Sequence, residues 1–360
     1  MQEIVIQIGP LHPSLNEPAG LMLTLEGEKV VNANLRIGYN HRGLEKLCES
    51  KTYDQNVFVI ERLNGVCPQS QSMVYCQAVE KLCDITISRR AAYIRVIVAE
   101  LERLQSHLMW LSLLGQAIGF EALFMAAWSD RDKVMSVLSL LGDNRANYAV
   151  NILGGVRSNL DRSKADQVVN LLNELEDRLK YYTELLSGDT TLSMRLMWAG
   201  KLTREDALKW CAVGPVARAS ALDNDVRVDD PYAAYDDLIV QPVVGEKGDA
   251  LCRCTVRAGE MSASIAVIRA ALENIPEGPL AMRVPQRIPA GEALARCESP
   301  RGETVCYVQA KNEETPARVR IRSASAANLN CLVPLVKGTH LADVPVILSS
   351  LDLCFSCVDR

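Results

Sequence analysis

The stretch that decides the fold is Ser350-Leu-Asp-Leu-Cys-Phe-Ser-Cys-Val-Asp-Arg360, which carries Cys354 and Cys357 in a Cys-x-x-Cys spacing. A zinc knuckle needs a second ligand pair close by, and the few residues after Cys357 leave no room for one. A further thiolate would have to come from far away, and Cys67 in Glu61-Arg-Leu-Asn-Gly-Val-Cys67 is the best candidate. If the two stretches meet, they close a metal site in the core. Alternatively, Cys354 and Cys357 only pack as small apolar residues, because an isolated Cys-x-x-Cys is a weak signal.

Composition bounds the class of protein. Hydrophobic residues make up 48% of the 360 positions and charged residues 23%, the balance of an ordinary globular protein of about two domains or one large one. The net charge of −5 argues against nucleic acid as a partner. We expect no signal peptide, because the N-terminus lacks a basic region and a long apolar run. We also expect no transmembrane span, because Gln116 and Glu121 interrupt the most apolar region.

The N-terminal 40 residues predict a small antiparallel sheet. Residues 3–8 alternate like a strand, and two apolar runs at 21–25 and 30–37 flank the turn Glu26-Gly-Glu-Lys29. Apolar residues at intervals of three and four then predict helices at 42–82, 91–120, 120–141, 163–186 and 255–274. Ser163 is the expected N-cap of the fourth of these helices.

The remaining patterns complete a fold class of α+β, mainly helical. Arg95, Glu102 and Arg103 are expected opposite the apolar face of the second helix. Cys252 and Cys254 alternate like strand residues, and short β-like runs occur at 304–309 and 317–321. We predict one integrated domain with three parts: a β-region at 1–40, a helical bundle core at 41–230, and an α+β part at 231–360 that returns to the core.

Several motifs, in order along the chain, carry a resemblance to a known family: Ile8-Gly-Pro-Leu-His-Pro-Ser-Leu-Asn-Glu-Pro18, Gly38-Tyr-Asn-His-Arg-Gly-Leu-Glu45, Glu61-Arg-Leu-Asn-Gly-Val-Cys67, Gly214-Pro-Val-Ala-Arg218, Pro300-Arg-Gly-Glu303 and Asp352-Leu-Cys-Phe-Ser-Cys357. The chain resembles the large subunit of group 4 [NiFe] hydrogenases, the energy-converting enzymes of the Ech and carbon-monoxide-induced types. More distantly, it resembles the 49-kDa quinone-site subunit of complex I. The resemblance covers essentially the whole chain and implies the [NiFe]-hydrogenase large-subunit fold.

The resemblance also implies metal ligands. In the family, two Cys-x-x-Cys motifs hold a Ni–Fe pair, and the second Cys of each motif bridges both metals. By match, Cys67 and Cys357 would be the bridges and Cys354 a terminal nickel ligand. The fourth ligand position holds Asn64 here. An amide is a harder and weaker donor than a thiolate, so either an altered Ni–Fe centre or a site without Ni–Fe is expected.

Near this position, two further residues differ from the family pattern and three agree with it. Gln71 stands where the family has a His, and Leu353 stands where it has a Pro. Arg301 matches the Arg over the open coordination position, and Asp352 matches its acidic partner. Glu17 matches the Glu that relays protons. Taken alone, a residue such as Glu17, Arg301 or Asp352 more often forms an ion pair on the protein surface.

His12 and His41 resemble, more weakly, residues near the proton or quinone path. The resemblance further implies partners: a small iron–sulfur subunit with a [4Fe–4S] cluster, a ferredoxin-type electron donor and antiporter-like membrane subunits. It implies a place at the cytoplasmic side of the membrane, as a peripheral part of a multisubunit complex. One expected function is the reduction of protons or another small acceptor, coupled to ion translocation. The alternative is a non-catalytic coupling or scaffold subunit that has lost Ni–Fe.

Overall fold

The computed structural model describes residues 3–13 and 15–360; Met1, Gln2 and Ser14, which belong to the predicted β-region, lie outside the described residues. The strands are β1 (Glu3–Ile8), β2 (Gly20–Glu26), β3 (Lys29–Arg36), β4 (Asn151–Ile152), β5 (Gly155–Val156), β6 (Gly291–Ser299), β7 (Gly302–Ala310) and β8 (Arg318–Arg322). The helices are α1 (Leu44–Cys48), α2 (Tyr53–Glu61), α3 (Pro68–Leu82), α4 (Arg89–Ala117), α5 (Glu121–Gly142), α6 (Arg162–Gly188), α7 (Thr190–Leu196), α8 (Arg204–Lys209), α9 (Gly214–Arg218), α10 (Val226–Asp229), α11 (Ala250–Asn274), α12 (Ala324–Asn328), α13 (Leu332–Val336), α14 (Val344–Leu351) and α15 (Phe355–Asp359).

The core is built around α4, which is buried on nearly every face against α5, α11 and α14. The helix α6 is amphipathic and packs its apolar face against α5 and α11. The sheet β1–β2–β3 is antiparallel and contributes Leu21, Leu23 and Leu25 to the same apolar cluster. No helix in the described ranges is both long enough and apolar enough to cross a membrane.

The second sheet, β6–β7–β8, is antiparallel and packs on α3. Its first hairpin turns tightly, because Ser299 pairs with Gly302 and leaves only Pro300 and Arg301 in the loop. Gly302 has a φ of 122°, and a Cβ there would lie 2.6 Å from the backbone N of Gly214. A glycine is therefore required for this hairpin to approach α9 and hold Arg301 in place.

The C-terminal segment folds back to the N-terminal part of the chain. Asp352 ends α14 in the left-handed region at φ 56°, which turns the chain into α15. The Asp359 carboxylate accepts hydrogen bonds from the backbone N of Gly38 and of Asn40, both at 2.9 Å. These contacts dock α15 against the segment after β3, more than 300 residues earlier in the chain.

Several sequence predictions were confirmed and others were wrong. The fold class is α+β and mainly helical, and the N-terminal hairpin lies as predicted. The N-cap of α6 is Asp161, not Ser163, because the Asp161 carboxylate accepts from the Lys164 N–H. Cys252 and Cys254 lie in α11, not in a strand, because α11 begins at Ala250.

The second predicted helix ends close to its predicted boundary, but its polar residues differ from expectation. A break at Ile118–Phe120 separates α4 from α5. Arg95, Glu102 and Arg103 are as buried as the apolar face of α4, and the sequence could not show this because their partners come from distant segments. The apolar residues at 104–128 predict an interface with a partner subunit, which stays a prediction. Within this chain most apolar residues of α4 are buried, whereas Met125 and Trp128 of α5 are exposed.

Candidate redox site

Three thiols from the two ends of the chain meet in one buried cluster. Cys67, Cys354 and Cys357 are each less than 5% exposed. All three Sγ atoms lie within hydrogen-bonding distance of the same atom, the Asn64 side-chain amide nitrogen. The distance is 3.1 Å to Cys67 and 3.5 Å to Cys354, and Cys357 is the nearest of the three. The structure thus brings together every residue that the sequence proposed as a metal ligand.

The orientation of Asn64 decides what this cluster can bind. Its Oδ1 accepts hydrogen bonds from the backbone N of Val66 and of Cys67, both at 2.8 Å. The Asn64 atom that could replace a thiolate as a ligand is therefore occupied by two backbone N–H groups; it lies 3.5 Å from Cys67 Sγ, whereas the N–H₂ group contacts all three sulfurs. An amide N–H₂ is a hydrogen-bond donor, not a metal ligand. The residues present do not fit a Ni–Fe centre held by four thiolates.

The three thiols do not carry equal charge. The pKa of Cys67 is lowered to about 6. The hydrogen bond from Cys357 lowers it most, and the charge of Arg301 and the hydrogen bond from the Asn64 amide lower it further, whereas burial raises it. Hydrogen bonds to Cys354 and to Cys67 raise the pKa of Cys357 well above its usual value. At neutral pH the pair is therefore one thiolate, on Cys67, and one thiol, on Cys357. A thiolate is the nucleophilic form of cysteine.

A buried ion pair stands beside the thiols. Arg301 donates to the Asp352 carbonyl and to its Oδ1, each at 2.8 Å, and both side chains are 7% exposed. Burial lowers the pKa of Arg301, but Asp352 and the three thiols outweigh that effect and raise it. Arg301 therefore stays charged and compensates the negative charge of the thiol cluster. Asp352 Oδ2 is buried and has no hydrogen-bond partner among the described residues.

Glu17 contacts the cluster from the side of Cys354. Its carboxylate accepts from the backbone N of Ser356 at 3.1 Å, and its Oε1 lies 3.7 Å from Cys354 Sγ. Glu17, Asp352 and Leu353 line a cavity of about 380 Å³. Its other walls are largely apolar and include Trp110. The cysteines themselves do not line this cavity, which ends beside them at Glu17, Asp352 and Leu353.

The other predicted site residues lie at different distances from the thiols. Gln71 is 1% exposed on α3; its side chain hydrogen-bonds Cys67, and its Oε1 has no partner in the described ranges. His41 Nδ1 is 2.7 Å from the Asp359 carbonyl oxygen, so this exposed ring helps to dock α15. His12 is exposed at the rim of the cavity.

Sequence reasoning missed the residue that fixes the helix after Cys67. Glu102 is fully buried, and its carboxylate accepts from the backbone N of Gln69 at 2.6 Å and of Ser70 at 3.0 Å. It thereby caps the N-terminus of α3, where Cys67 offers no capping side chain. Burial, followed by the charge of Cys67, raises the pKa of Glu102 well above its usual value. A charged residue inside an otherwise apolar helix was the signal that could have identified it.

Comparison with known proteins gives the family. Residues 117–287 and 281–360 match the family described as respiratory-chain NADH dehydrogenase, 49 Kd subunit, and residues 42–184 match nickel-dependent hydrogenase. One subunit of the F(420)H(2) dehydrogenase of Methanosarcina mazei is 36% identical over 99% of this chain and 98% of its own length. The carbon monoxide-induced hydrogenase of Rhodospirillum rubrum is 34% identical over 100% of both.

A solved structure agrees with these matches. In the membrane-bound sulfane sulfur reductase, an archaeal respiratory membrane complex, one chain superimposes with a TM-score of 0.94 at 31% identity, covering 100% of this chain and 98% of that one. The overall fold is therefore the hydrogenase large-subunit fold. The chain belongs to the family of oxidoreductase subunits that joins the nickel-dependent hydrogenases to the 49-kDa subunit of respiratory NADH dehydrogenase.

Proposed function

We propose that this chain is the catalytic-type subunit of a membrane-bound, ferredoxin-linked, ion-translocating oxidoreductase, and that its thiol cluster reduces a small acceptor containing a sulfur–sulfur bond. The observation that carries the proposal is the convergence of three Sγ atoms on the Asn64 amide nitrogen, with the amide oxygen bound by two backbone N–H groups. This arrangement favours thiol chemistry over a four-thiolate metal centre. The likeness to a sulfane sulfur reductase supports the same class of acceptor.

The reaction follows thiol–disulfide exchange. The Cys67 thiolate attacks one sulfur of an acceptor R–S–S–R′, which forms the mixed disulfide Cys67–S–S–R and releases R′S⁻. The sulfur of Cys357 then displaces RS⁻ and loses its proton, which leaves a Cys67–Cys357 disulfide. Two electrons and one proton regenerate the Cys67 thiolate and the Cys357 thiol. The balance is one sulfur–sulfur bond reduced by two electrons to two thiolates.

Neighbouring residues serve these steps. The Asn64 N–H₂ donates to sulfur and stabilises negative charge on it, while Arg301 supplies a buried positive charge. The proton that Cys357 loses passes to its hydrogen-bond partner Cys354 and then to Glu17, whose Oε1 is 3.7 Å from Cys354 Sγ. The cavity beside Glu17 admits the acceptor.

The electrons reach the site from partner subunits in this proposal. A ferredoxin-type donor would pass them one at a time through a [4Fe–4S] cluster of an iron–sulfur small subunit. Antiporter-like membrane subunits would use the energy, with this chain peripheral at the cytoplasmic side. Supporting this, relatives named as membrane-bound hydrogenase and as part of a respiratory membrane complex cover the whole chain.

A coupling or scaffold subunit without catalysis is the second candidate, and the Asn64 amide at the centre of the thiols favours it, because that position no longer offers a thiolate. One experiment separates the two. The intact complex, purified without oxygen and supplied with reduced ferredoxin, is assayed for sulfide release from polysulfide. We expect release by the wild type and its loss in Cys67→Ser and Cys357→Ser.

The matched control is Cys76→Ser, a buried cysteine in the cluster between α3 and the second sheet. Mass spectrometry of Cys357→Ser after exposure to polysulfide should find sulfur trapped on Cys67. No sulfide release from any preparation would favour the scaffold function. Hydrogen evolution by the wild type, with no dependence on polysulfide, would favour proton reduction.

A further inference from the structure

A second set of buried ionisable groups lies in the core, apart from the thiols. It is a continuous network of ion pairs and hydrogen bonds between α4, α9, α10, α11 and β6, and its members are at most 3% exposed. The charged or titratable members are Glu100, Arg103, His107, Arg218, Asp225, Arg227, Glu260 and Glu298. Arg218 belongs to one of the motifs that carry the family resemblance, but the proposed function gives no role to this network.

The charges of the network do not balance. It contains four carboxyl groups and three guanidinium groups, so with every carboxyl ionised and His107 neutral it carries one net negative charge. An uncompensated charge inside a protein is strongly unfavourable, and such sites bind a proton instead. Either His107 or one of the carboxyl groups must therefore hold an additional proton.

His107 does not hold it. Its Nε2 is 2.9 Å from Glu260 Oε2 and donates to that carboxylate. Its Nδ1 is buried and has no hydrogen-bond partner among the described residues, so a second N–H there would point at nothing. Burial accordingly lowers the pKa of His107, against the effect of Glu260. The ring stays neutral, and the proton belongs to a carboxyl group.

Glu298 is the carboxyl group that the network satisfies least. Arg218 donates to it through one nitrogen, Nη1 at 2.9 Å, and the same nitrogen lies 3.4 Å from Asp225. Its other oxygen receives only a 3.3 Å contact from the backbone N of Val226. Asp225, by contrast, also accepts two hydrogen bonds from the Arg227 guanidinium. Two carboxylates that share one cation cannot both ionise easily.

The carboxylates of Glu100 and Glu260 accept more hydrogen bonds than that of Glu298. Glu100 accepts from Arg103, Arg227, Tyr235 and Ser264. Glu260 accepts from Arg218 twice and from His107. Burial raises the pKa of Glu100, but the charges of Arg103 and Arg227 outweigh it and lower that pKa to about 2. For Glu298 the balance is reversed: burial and the charge of Asp225 outweigh the charge of Arg218 and raise the pKa to about 7.

We propose that the core network binds one exchangeable proton and that Glu298 is the residue that carries it. The Tyr232 hydroxyl accepts from the backbone N of Glu298 at 3.0 Å, so it contacts the main chain of Glu298 and not its carboxyl group. Tyr232 lines an open cavity of about 490 Å³ together with Asp230 and Arg296. Glu298 thus lies one backbone hydrogen bond away from a residue of this cavity.

The other charges near Glu298 do not remove the need for this proton. The groups that act on it are Arg218, Asp225, Arg103 and Arg227, all members of the network. Arg257 is buried on α11, but its guanidinium contacts backbone carbonyls of α14 and the ring of Trp110, and the largest charge effect on it comes from Asp352. Its charge therefore acts chiefly on Asp352 and, to a smaller extent, on Glu260 and His107, whereas the guanidinium that contacts Glu298 is that of Arg218.

Glu298 lies at the end of β6, and the two-residue turn that follows β6 presents Arg301 to the thiols. The proposed proton therefore lies three residues along the chain from the cation that compensates the thiol cluster.

Infrared difference spectroscopy on the intact complex tests the proposal, with the pH stepped from about 6 to about 8, on either side of the expected midpoint. We expect a carbonyl band of a protonated, buried carboxyl group that disappears as the pH rises and shifts in D₂O. The band should be absent in Glu298→Gln. It should persist in Glu303→Gln, a control at the start of β7 whose half-buried carboxylate pairs with Arg296 and Arg322.

Glu298→Asp keeps the carboxyl group and should keep a titrating band at a changed frequency. This variant assigns the band even if Glu298→Gln fails to assemble. A titrating band that is unchanged in Glu298→Asp, or the absence of any such band in the wild type, would overturn the proposal. Loss of the band in Glu303→Gln would assign the proton elsewhere and overturn it as well.

Discussion

Asn64 is the residue on which the character of the site depends. In Asn64→Cys, a thiolate would stand where the amide nitrogen now lies among the three sulfurs, which completes a four-thiolate donor set that nickel favours. We expect nickel to co-purify with this variant when the complex is made in cells that contain the hydrogenase maturation proteins. Nickel and iron are measured by elemental analysis of the intact complex.

The control is Asn64→Ser, which removes the same amide without adding a thiolate and should retain no nickel. If Asn64→Cys also binds none while the thiols remain clustered, ligand number is not what disables the site. Leu353 or Gln71 would then be responsible. Slow hydrogen turnover by a nickel-loaded variant would agree with Gln71 standing in place of the family His.

The protonation of Cys67 sets a pH dependence. Because its pKa is lowered to about 6, the nucleophilic thiolate is present above that pH and is lost as the pH falls through it. We expect the rate of polysulfide reduction to fall about tenfold per pH unit below this midpoint. Asn64→Ala, which removes an N–H donor from the thiolate, should move the acid limb to higher pH. An acid limb that stays in place in this variant would count against Cys67 as the attacking group.

Arg301 is expected to matter for stability as well as for charge. Arg301→Met leaves Asp352 buried without its cation, which costs about 3–5 kcal/mol in the free energy of unfolding. The matched control is Arg296→Met, which removes an exposed ion pair with Asp230 and costs about 0–1 kcal/mol. Denaturant unfolding of the two variant complexes gives the comparison. Equal effects would mean that the Arg301–Asp352 pair is not buried in the assembly.

At the scale of elements, α3 depends on a carboxylate from another helix. Glu102→Ala leaves the first amides of α3 without acceptors, which costs about 1–3 kcal/mol and loosens the loop that carries Cys67. Asp161→Ala removes the N-cap of α6 and costs about 1 kcal/mol, with no effect expected on activity. Thermal unfolding and polysulfide reduction are measured for both variants. Full activity in Glu102→Ala would show that α3 does not position Cys67.

The sequence predicted those elements that depend on residues close together in the chain. The N-terminal hairpin and the stripe of α6 follow from periodicity in the sequence, and the structure has both. Periodicity did not predict which residues of α4 are buried, because a helix that is buried on nearly all faces has no polar side. The charges of α4 are neutralised by residues from other segments, such as Arg95 by Glu80 and Glu100 by Arg227. The strand β6 was missed because it alternates only weakly and is defined by its pairing with β7.

For the molecule as a whole, the meeting of the two chain ends was the central prediction, and the cluster of Cys67, Cys354 and Cys357 agrees with it. The sequence could show that position 64 lacks a thiol, but not that the amide would turn its nitrogen inward. That orientation depends on two backbone N–H groups in the loop, which no spacing rule reveals. The predicted division into three parts and the roles of Glu17, Arg301 and Asp352 stay predictions.

The nickel content of the wild-type complex, purified intact and without oxygen from cells that make the maturation proteins, tests most directly whether the thiols work without a metal. We expect no stoichiometric nickel on this chain, because Asn64 presents a donor group to the three sulfurs where a fourth ligand is required. We also expect the complex to reduce polysulfide in that state. Stoichiometric nickel together with hydrogen evolution would contradict the proposed thiol chemistry.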